Sequence, residues 1–291
     1  MTKPAKPVTR TVAVNGISLA FNEWRGAAGN LEAPLLIAHA TGFHGRCYSA
    51  IAEAFPDRRV ISLDLRGHGR STGGPIDSWR TIVEDVSAFL DQLRIRGAVG
   101  VGHSMGGLTL AQCAADNGPA FSKLVLFDPV ILAPDYYVEG SELFTPDAPH
   151  PAIRRKRDFA SPQAMMERFA ARDPYALFEA RVFEDYCQHG LTEDGKGGYV
   201  LACSPEMEAS VYGSSRSNVG IHDAVASIEI PVLVVRAKQT KLTDFKSSPT
   251  WPLLASTMSK GEDMPRPDRT HFHPFEDPAD AARIIAEFAA R

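Results

Sequence analysis

Two hydrophobic rhythms alternate along this chain. Continuous apolar runs stand at residues 34–39 (PLLIAH), 59–65 (RVISLDL), 97–104 (GAVGVGHS), 123–129 (KLVLFDP) and 230–237 (IPVLVVRA). Runs with no polar alternation, bounded by Gly or Pro, are the signature of strands buried on both faces of a parallel sheet. Between them the period changes to that of a helix. Residues 77–94 place Trp79, Ile82, Val83, Val86, Phe89, Leu90 and Leu93 at spacings of three and four, with Asp77 or Ser78 as the cap. A second helix is expected over MGGLTLAQCAADNG with Gly118 at its C-terminal cap, and a third over DPADAARIIAEFAAR with Pro278 near its first turn. Residues 11–24 alternate apolar and polar positions about Asn15-Gly16 and predict an antiparallel hairpin at the sheet edge. Strands alternating with helices define an α/β fold with a mostly parallel central sheet flanked by helices.

The rhythm breaks between residues 135 and 227, where aromatics and Met (Tyr136, Phe144, Phe159, Met165, Phe169, Tyr175, Phe178, Phe183, Tyr186) stand among charges. ASPQAMMERFAARD and PYALFEARVFEDYCQHG read as short helices. A block this long is no simple loop. The expected organisation is a core built from residues 1–134 and 228–291, with 135–227 inserted as a helical cap or lid.

Composition narrows the function. A formal charge of −4 over 291 residues offers no cationic excess for phosphates, so nucleic-acid binding is not expected. No run approaches the roughly 20 apolar residues of a membrane span. The start, MTKPAKPVTR, is basic but has no apolar segment behind it, so no secretory signal is expected. Cys47, Cys113, Cys187 and Cys203 show neither CxxC pairing nor metal-ligand spacing, and reduced thiols in a cytoplasmic protein are the expectation.

The sharpest chemical signal is Gly102-His103-Ser104-Met105-Gly106-Gly107, a G-x-S-x-G between an apolar strand and a helix. That context demands a strained turn which exposes the Ser104 hydroxyl at the sheet's carboxyl edge, and the flanking glycines remove side chains that would collide there. With His39-Ala40-Thr41-Gly42-Phe43, the stretch DLRGHGRS (64–71), and Thr270-His271-Phe272 before the last helix, the chain resembles the α/β-hydrolase fold family over nearly its whole length.

The resemblance implies a serine hydrolase of the esterase or lipase kind. It acts on a small-molecule ester through an acyl-enzyme and needs no metal or organic cofactor. Ser at the elbow argues against dehalogenase and epoxide hydrolase relatives, which carry Asp there. Lactonase, thioesterase, perhydrolase and carbon–carbon bond hydrolase chemistry stay open, as does a non-catalytic binding protein on the same scaffold. A homodimer also stays open. His271 matches the family's base. The usual slot for the acid falls at Thr240 or Lys241, which cannot serve. Asp128, after the preceding strand as in pancreatic-type lipases, is favoured over Asp244. Oxyanion donors are expected from the N–H of Met105 and of Thr41, with Phe43 the alternative in that loop. His39 and His68 read as structural. His103, His44, Trp251 and His273 are candidates for the substrate pocket; lid aromatics would give an apolar acyl or alcohol pocket, and with no broad surface-active lid evident, short to medium apolar acyl groups are expected.

Overall fold

The computed structural model describes residues 6–26, 32–137, 144, 148–241 and 244–291. Residues 1–5 of the basic start, residues 27–31, part of the expected insertion (138–143 and 145–147) and Leu242-Thr243 after the fifth apolar run therefore lie outside the described residues. The strands are β1 (Val8–Val14), β2 (Ile17–Trp24), β3 (Leu35–Ala38), β4 (Val60–Asp64), β5 (Ala98–His103), β6 (Phe121–Phe127), β7 (Asp158–Phe159), β8 (Leu191–Glu193), β9 (Tyr199–Leu201), β10 (Val232–Ala237) and β11 (Gly261–Arg266). The helices are α1 (Ser49–Glu53), α2 (Arg80–Gln92), α3 (Met105–Asp116), α4 (Pro162–Phe169), α5 (Ala180–His189), α6 (Pro205–Gly213), α7 (Ile221–Ala226), α8 (His273–Glu276) and α9 (Pro278–Ala289).

Eight strands form the central sheet in the order β1-β2-β4-β3-β5-β6-β10-β11. β2 pairs antiparallel with both neighbours, and every other pairing is parallel. The apolar runs divide by alternation between the two faces. Leu36, Ala38, Ala98, Leu124, Leu126 and Val234 pack with residues of α2 and α3, while Leu35, Ile37, Val99, Val101, Val125, Phe127 and Val235 pack with α1 and α9. Both faces of β3 are fully buried, which is why its sequence shows no polar alternation. Near the end of β5 the residue facing α3 is Gly102. A methyl group on Gly102 would lie 2.6 Å from the Gly107 Cα, so its absence lets the first turn of α3 sit directly on the strand.

Several elements differ from the sequence reading. The sheet continues past β10 with β11, whose GEDMPR is charged and half exposed because it forms the sheet edge. The 135–227 block holds helices α4 to α7 and also a three-stranded antiparallel sheet, order β7-β9-β8, whose strands are too short to carry a period. Helix α2 begins at Arg80, with Ser78 Oγ accepting the Arg80 N–H at 3.2 Å. Asn117 caps α3 while Gly118 opens a 3₁₀ turn, and a further 3₁₀ turn forms at Leu254–Thr257. All four cysteines are buried free thiols. No helix among the described residues is long and apolar enough to cross a membrane.

Candidate active site

Three sheet ends converge on one point. Ser104 lies between β5 and α3 with φ 57° and ψ −119°, a left-side conformation that costs a non-glycine residue of order 1–3 kcal/mol and must be held by its surroundings. It is held on both sides. Its N–H donates to the Phe127 carbonyl at 3.0 Å, and its own carbonyl accepts from Gly107, Leu108 and Val130. Gly106 presses so closely on the β3 end that a methyl group there would overlap the Ala38 carbonyl. The side chain thus stands at the N-terminus of a 12-residue helix, where unpaired N–H groups and the helix dipole favour negative charge.

His271 Nε2 is 2.9 Å from Ser104 Oγ, and His271 Nδ1 is 2.6 Å from Asp128 Oδ2. The structure therefore brings Ser104, His271 and Asp128 into one hydrogen-bonded line, with Ser104 5% and His271 9% exposed. Asp128 follows β6 with φ 48°. Its second oxygen, Oδ1, accepts from the Ala237 N–H at 3.1 Å and from the Ser248 hydroxyl. Thr250 Oγ1 lies 3.2 Å from it but spends its hydrogen at shorter range, 2.7 Å, on the Pro129 carbonyl. Burial works to raise the Asp128 pKa. The hydrogen bond and charge of His271, with the Ser248 and Ala237 donors, outweigh burial and hold the carboxyl below its usual range. The alternative acid, Asp244, belongs to a turn. Its oxygens take the Lys246 N–H and the Thr240 hydroxyl, and it makes no bond to His271.

The loop after β3 closes as a turn, the Phe43 N–H donating to the Ala40 carbonyl at 3.1 Å with Gly42 at φ 78°. That bond consumes the Phe43 donor, which removes the alternative oxyanion candidate. The Gly42 N–H is taken by His68 Nε2 at 3.1 Å. The N–H groups of Thr41 and Met105 meet no acceptor among the described residues, and the Thr41 Oγ1 to Met105 Sδ distance of 3.7 Å sets the two residues side by side.

The pocket assignments fare differently. His103 is fully buried and accepts the Tyr48 hydroxyl on Nδ1 at 2.8 Å. Its Nε2 donates to the His271 carbonyl at 2.7 Å, so both ring nitrogens are spent inside the protein and the ring braces the His271 backbone. Burial drops its pKa to about 3, which keeps it neutral. His273 turns the other way, to Asp280 at 2.8 Å and edge-on to Phe127. His44 is buried against the Tyr186 carbonyl at 3.2 Å, and burial lowers its pKa to about 3. Trp251 is half-buried, edge-on to His222 at 5.2 Å, with its backbone N–H on the Ile131 carbonyl. His39 and His68 are structural, accepting the Leu65 and Gly42 N–H groups. Phe43, Phe178, Phe272 and Tyr186 pack together with ring centroids 5.2–6.1 Å apart, and Phe272 lies edge-on to the His271 ring.

Sequence reasoning missed Ser248, Thr250 and Tyr48. Ser248 and Thr250 stood in a segment read only for its aromatic and proline residues. Tyr48, which accepts the Ala40 N–H and donates to His103, carried no local signal.

A mostly parallel sheet with a strained serine between strand and helix defines the class, and the comparisons agree. The alpha/beta hydrolase family model matches residues 35–284, and the chain belongs to that family. Among curated proteins it is similar to the AB hydrolase superfamily protein YisY of Bacillus subtilis (strain 168), 24% identical over 275 residues, covering 88% of this chain and 91% of that one. It is also similar to the bifunctional esterase/perhydrolase DCH of Acinetobacter calcoaceticus, 24% identical, covering 80% of this chain and 83% of that one. Among solved structures, E-2-(acetamidomethylene)succinate hydrolase superposes with a TM-score of 0.75 at 19% identity, covering 98% of this chain and all of the other.

Proposed function

We propose that this protein is a serine hydrolase that cleaves carboxylic esters of small to medium apolar substrates through an acyl-enzyme. The observation that supports this most is the unbroken line from Ser104 Oγ to His271 Nε2 at 2.9 Å and from His271 Nδ1 to Asp128 Oδ2 at 2.6 Å. Ser104 Oγ attacks the ester carbonyl carbon while its proton passes to His271 Nε2. The carbonyl oxygen becomes an anion held by the Thr41 and Met105 N–H groups. The tetrahedral adduct collapses, the carbon–oxygen bond to the alcohol breaks, and the alcohol leaves with the proton from His271. Water then attacks the acyl group, giving its proton to His271. The acid departs and Ser104 recovers its hydrogen. Asp128 stays ionised throughout, fixing the imidazole tautomer and stabilising the imidazolium.

In this reading 135–227 act as a cap. Phe178 and Tyr186 from that segment pack on Phe43 of the oxyanion loop, and Phe178 on Phe272 beside the base, which favours short to medium acyl chains. The buried free thiols suit a reducing, cytoplasmic setting. A p-nitrophenyl ester series together with fluorophosphonate labelling tests the assignment. S104A is expected to lose both turnover and labelling. Turnover that survives S104A, or an adduct on another residue, overturns it. Binding of esters without cleavage by the wild-type protein favours a receptor on this scaffold.

A further inference from the structure

We propose that Arg155 and Glu208 work as one charge-balanced pair that positions the Thr41 oxyanion donor. The proposal rests on the ester-hydrolase reading of the site and adds two positioning residues to it.

Three residues of the inserted segment, Arg155, Tyr186 and Glu208, reach three consecutive positions of the loop after β3. Glu208, on α6, is 6% exposed and ion-paired to Arg155 Nη1. A methyl group placed on Gly42 would lie 2.9 Å from Glu208 Oε1 and 3.5 Å from Arg155 Nη1, so both charged groups press on the peptide next to Thr41. Arg155 Nη2 also donates to the Tyr186 hydroxyl at 2.8 Å and the Tyr175 hydroxyl at 3.2 Å, and those two hydroxyls are 3.1 Å apart. The Tyr186 ring in turn packs on Phe43 with centroids 5.2 Å apart, and its carbonyl meets His44. From the opposite side His68 takes the Gly42 N–H. The turn that aims the Thr41 N–H is thus clamped between the core histidine and the Arg155–Glu208 pair.

The electrostatic consequence has a definite sign. A buried carboxylate one residue from an oxyanion donor opposes the negative charge that develops in the transition state. Arg155 cancels that field while its fork fixes the carboxylate's place. Removing Arg155 alone leaves Glu208 buried and uncompensated beside the loop, which is the costly way to break such a pair, whereas removing both charges is far milder. The defect should appear in kcat, because the substrate's carbonyl carries little charge until the transition state.

The test measures kcat, KM and the rate of Ser104 phosphonylation by a fluorophosphonate for R155M, E208Q, R155M/E208Q and R155K, with S104A as the blank. R155M is expected to lose about a hundredfold in kcat and in labelling rate, the size of a roughly 1 Å misplacement, with KM changed by less than about threefold. The double variant R155M/E208Q should recover to within about tenfold of wild type, and R155K, which keeps the charge but loses the fork, should fall between R155M and wild type. A double variant no better than R155M, an R155M that raises KM at unchanged kcat, or a hundredfold loss in R155K overturns the proposal. E208Q keeps the side chain's shape and leaves a cation that favours the developing oxyanion, so it is expected to lose less than about tenfold in kcat. Should R155M not fold, R155K and E208Q carry the comparison, and a hundredfold kcat loss in E208Q overturns it equally. Failure here leaves S104A inactive, whereas failure of the ester-hydrolase reading shows as an S104A that still turns over.

Discussion

Replacing Asp128 by Asn gives the most decisive reading of this site. Asparagine keeps the shape and removes the charge, so the outcome depends on how its two unlike ends can sit. Oδ2 faces His271 Nδ1 at 2.6 Å, and Oδ1 accepts from the Ala237 N–H at 3.1 Å and from the Ser248 hydroxyl. If the amide NH₂ turns to His271, the imidazole must accept at Nδ1 and carry its proton on Nε2, where it cannot receive the one on Ser104. If the amide oxygen turns to His271, the NH₂ opposes the Ala237 N–H, a backbone donor that cannot rotate away. The first arrangement blocks the base, and the second strands a buried donor and still lacks the charge that stabilises the imidazolium. A triad with the wrong tautomer loses about 10⁴ in kcat, roughly 5.5 kcal/mol of transition-state stabilisation. D128N should therefore retain about 10⁻⁴ to 10⁻³ of wild-type kcat with p-nitrophenyl butyrate, with a near-native far-UV spectrum. D244N should stay within about twofold, since Asp244 bonds only its own turn. A D128N protein above about a tenth of wild-type activity beside an inactive D244N would refute the reasoning.

Two further outcomes follow from the same geometry. S248A should lower kcat by about 10-fold, because a hydrogen bond to a charged carboxylate is worth about 1.5–3 kcal/mol. T250V should cost less, because Thr250 gives its hydrogen to Pro129 at 2.7 Å and lies 3.2 Å from Asp128; the reverse ranking in steady-state kinetics would refute this order. Stability should fall in acid. Burial lowers the pKa of His39 well below 6.5 and of His44, His68 and His103 to about 3, 4 and 3, so between pH 6.5 and 4 the unfolded chain binds protons that the folded one refuses. Asp64, raised by burial to about 6, acts with the opposite sign below pH 6 and offsets one histidine, so the balance of these groups is a loss of stability as the pH falls from 6.5 to 4. A melting temperature that stays level from pH 7 to pH 5 would contradict this.

The sequence revealed what burial writes locally. β3 to β6 and β10 were legible because strands covered on both faces need uninterrupted apolar residues. β11 was not, since an edge strand exposed along half its length has no reason to be apolar. Ser104 was legible because a strained turn needs its glycines next to it in sequence, and His271 through the family motif before the last helix. The pairing of Asp128 with His271 spans 143 positions, and no local pattern decides between it and Asp244. The pocket histidines show the opposite failure. His103 and His273 stand beside the site in sequence, but both rings are buried in bonds of their own, His103 to the His271 carbonyl and His273 to Asp280. Arg155 and Glu208, set in an insertion with no fixed relation to the core, carried no signal in the sequence.

The location of the acid follows from which strands are neighbours. β6 and β10 pair in parallel with Phe127 opposite Val235, so the residues just after either strand end reach the same patch of space. A carboxylate from either could meet His271. In this chain Asp128 fills that place from β6. The loop after β10 supplies the supporting bonds instead: the Ala237 N–H and the Ser248 hydroxyl to Asp128 Oδ1, and the Lys246 carbonyl to the His271 backbone N–H at 2.9 Å. Two adjacent loops have thus divided one task, the first holding the charge and the second holding the charge-bearer and the base in register. The left-handed backbone of Asp128 fits this division, because a residue at φ 48° must be fixed by bonds from elsewhere, and here those bonds come from β10 and the loop after it, the Val235 carbonyl taking the Asp128 N–H at 2.7 Å.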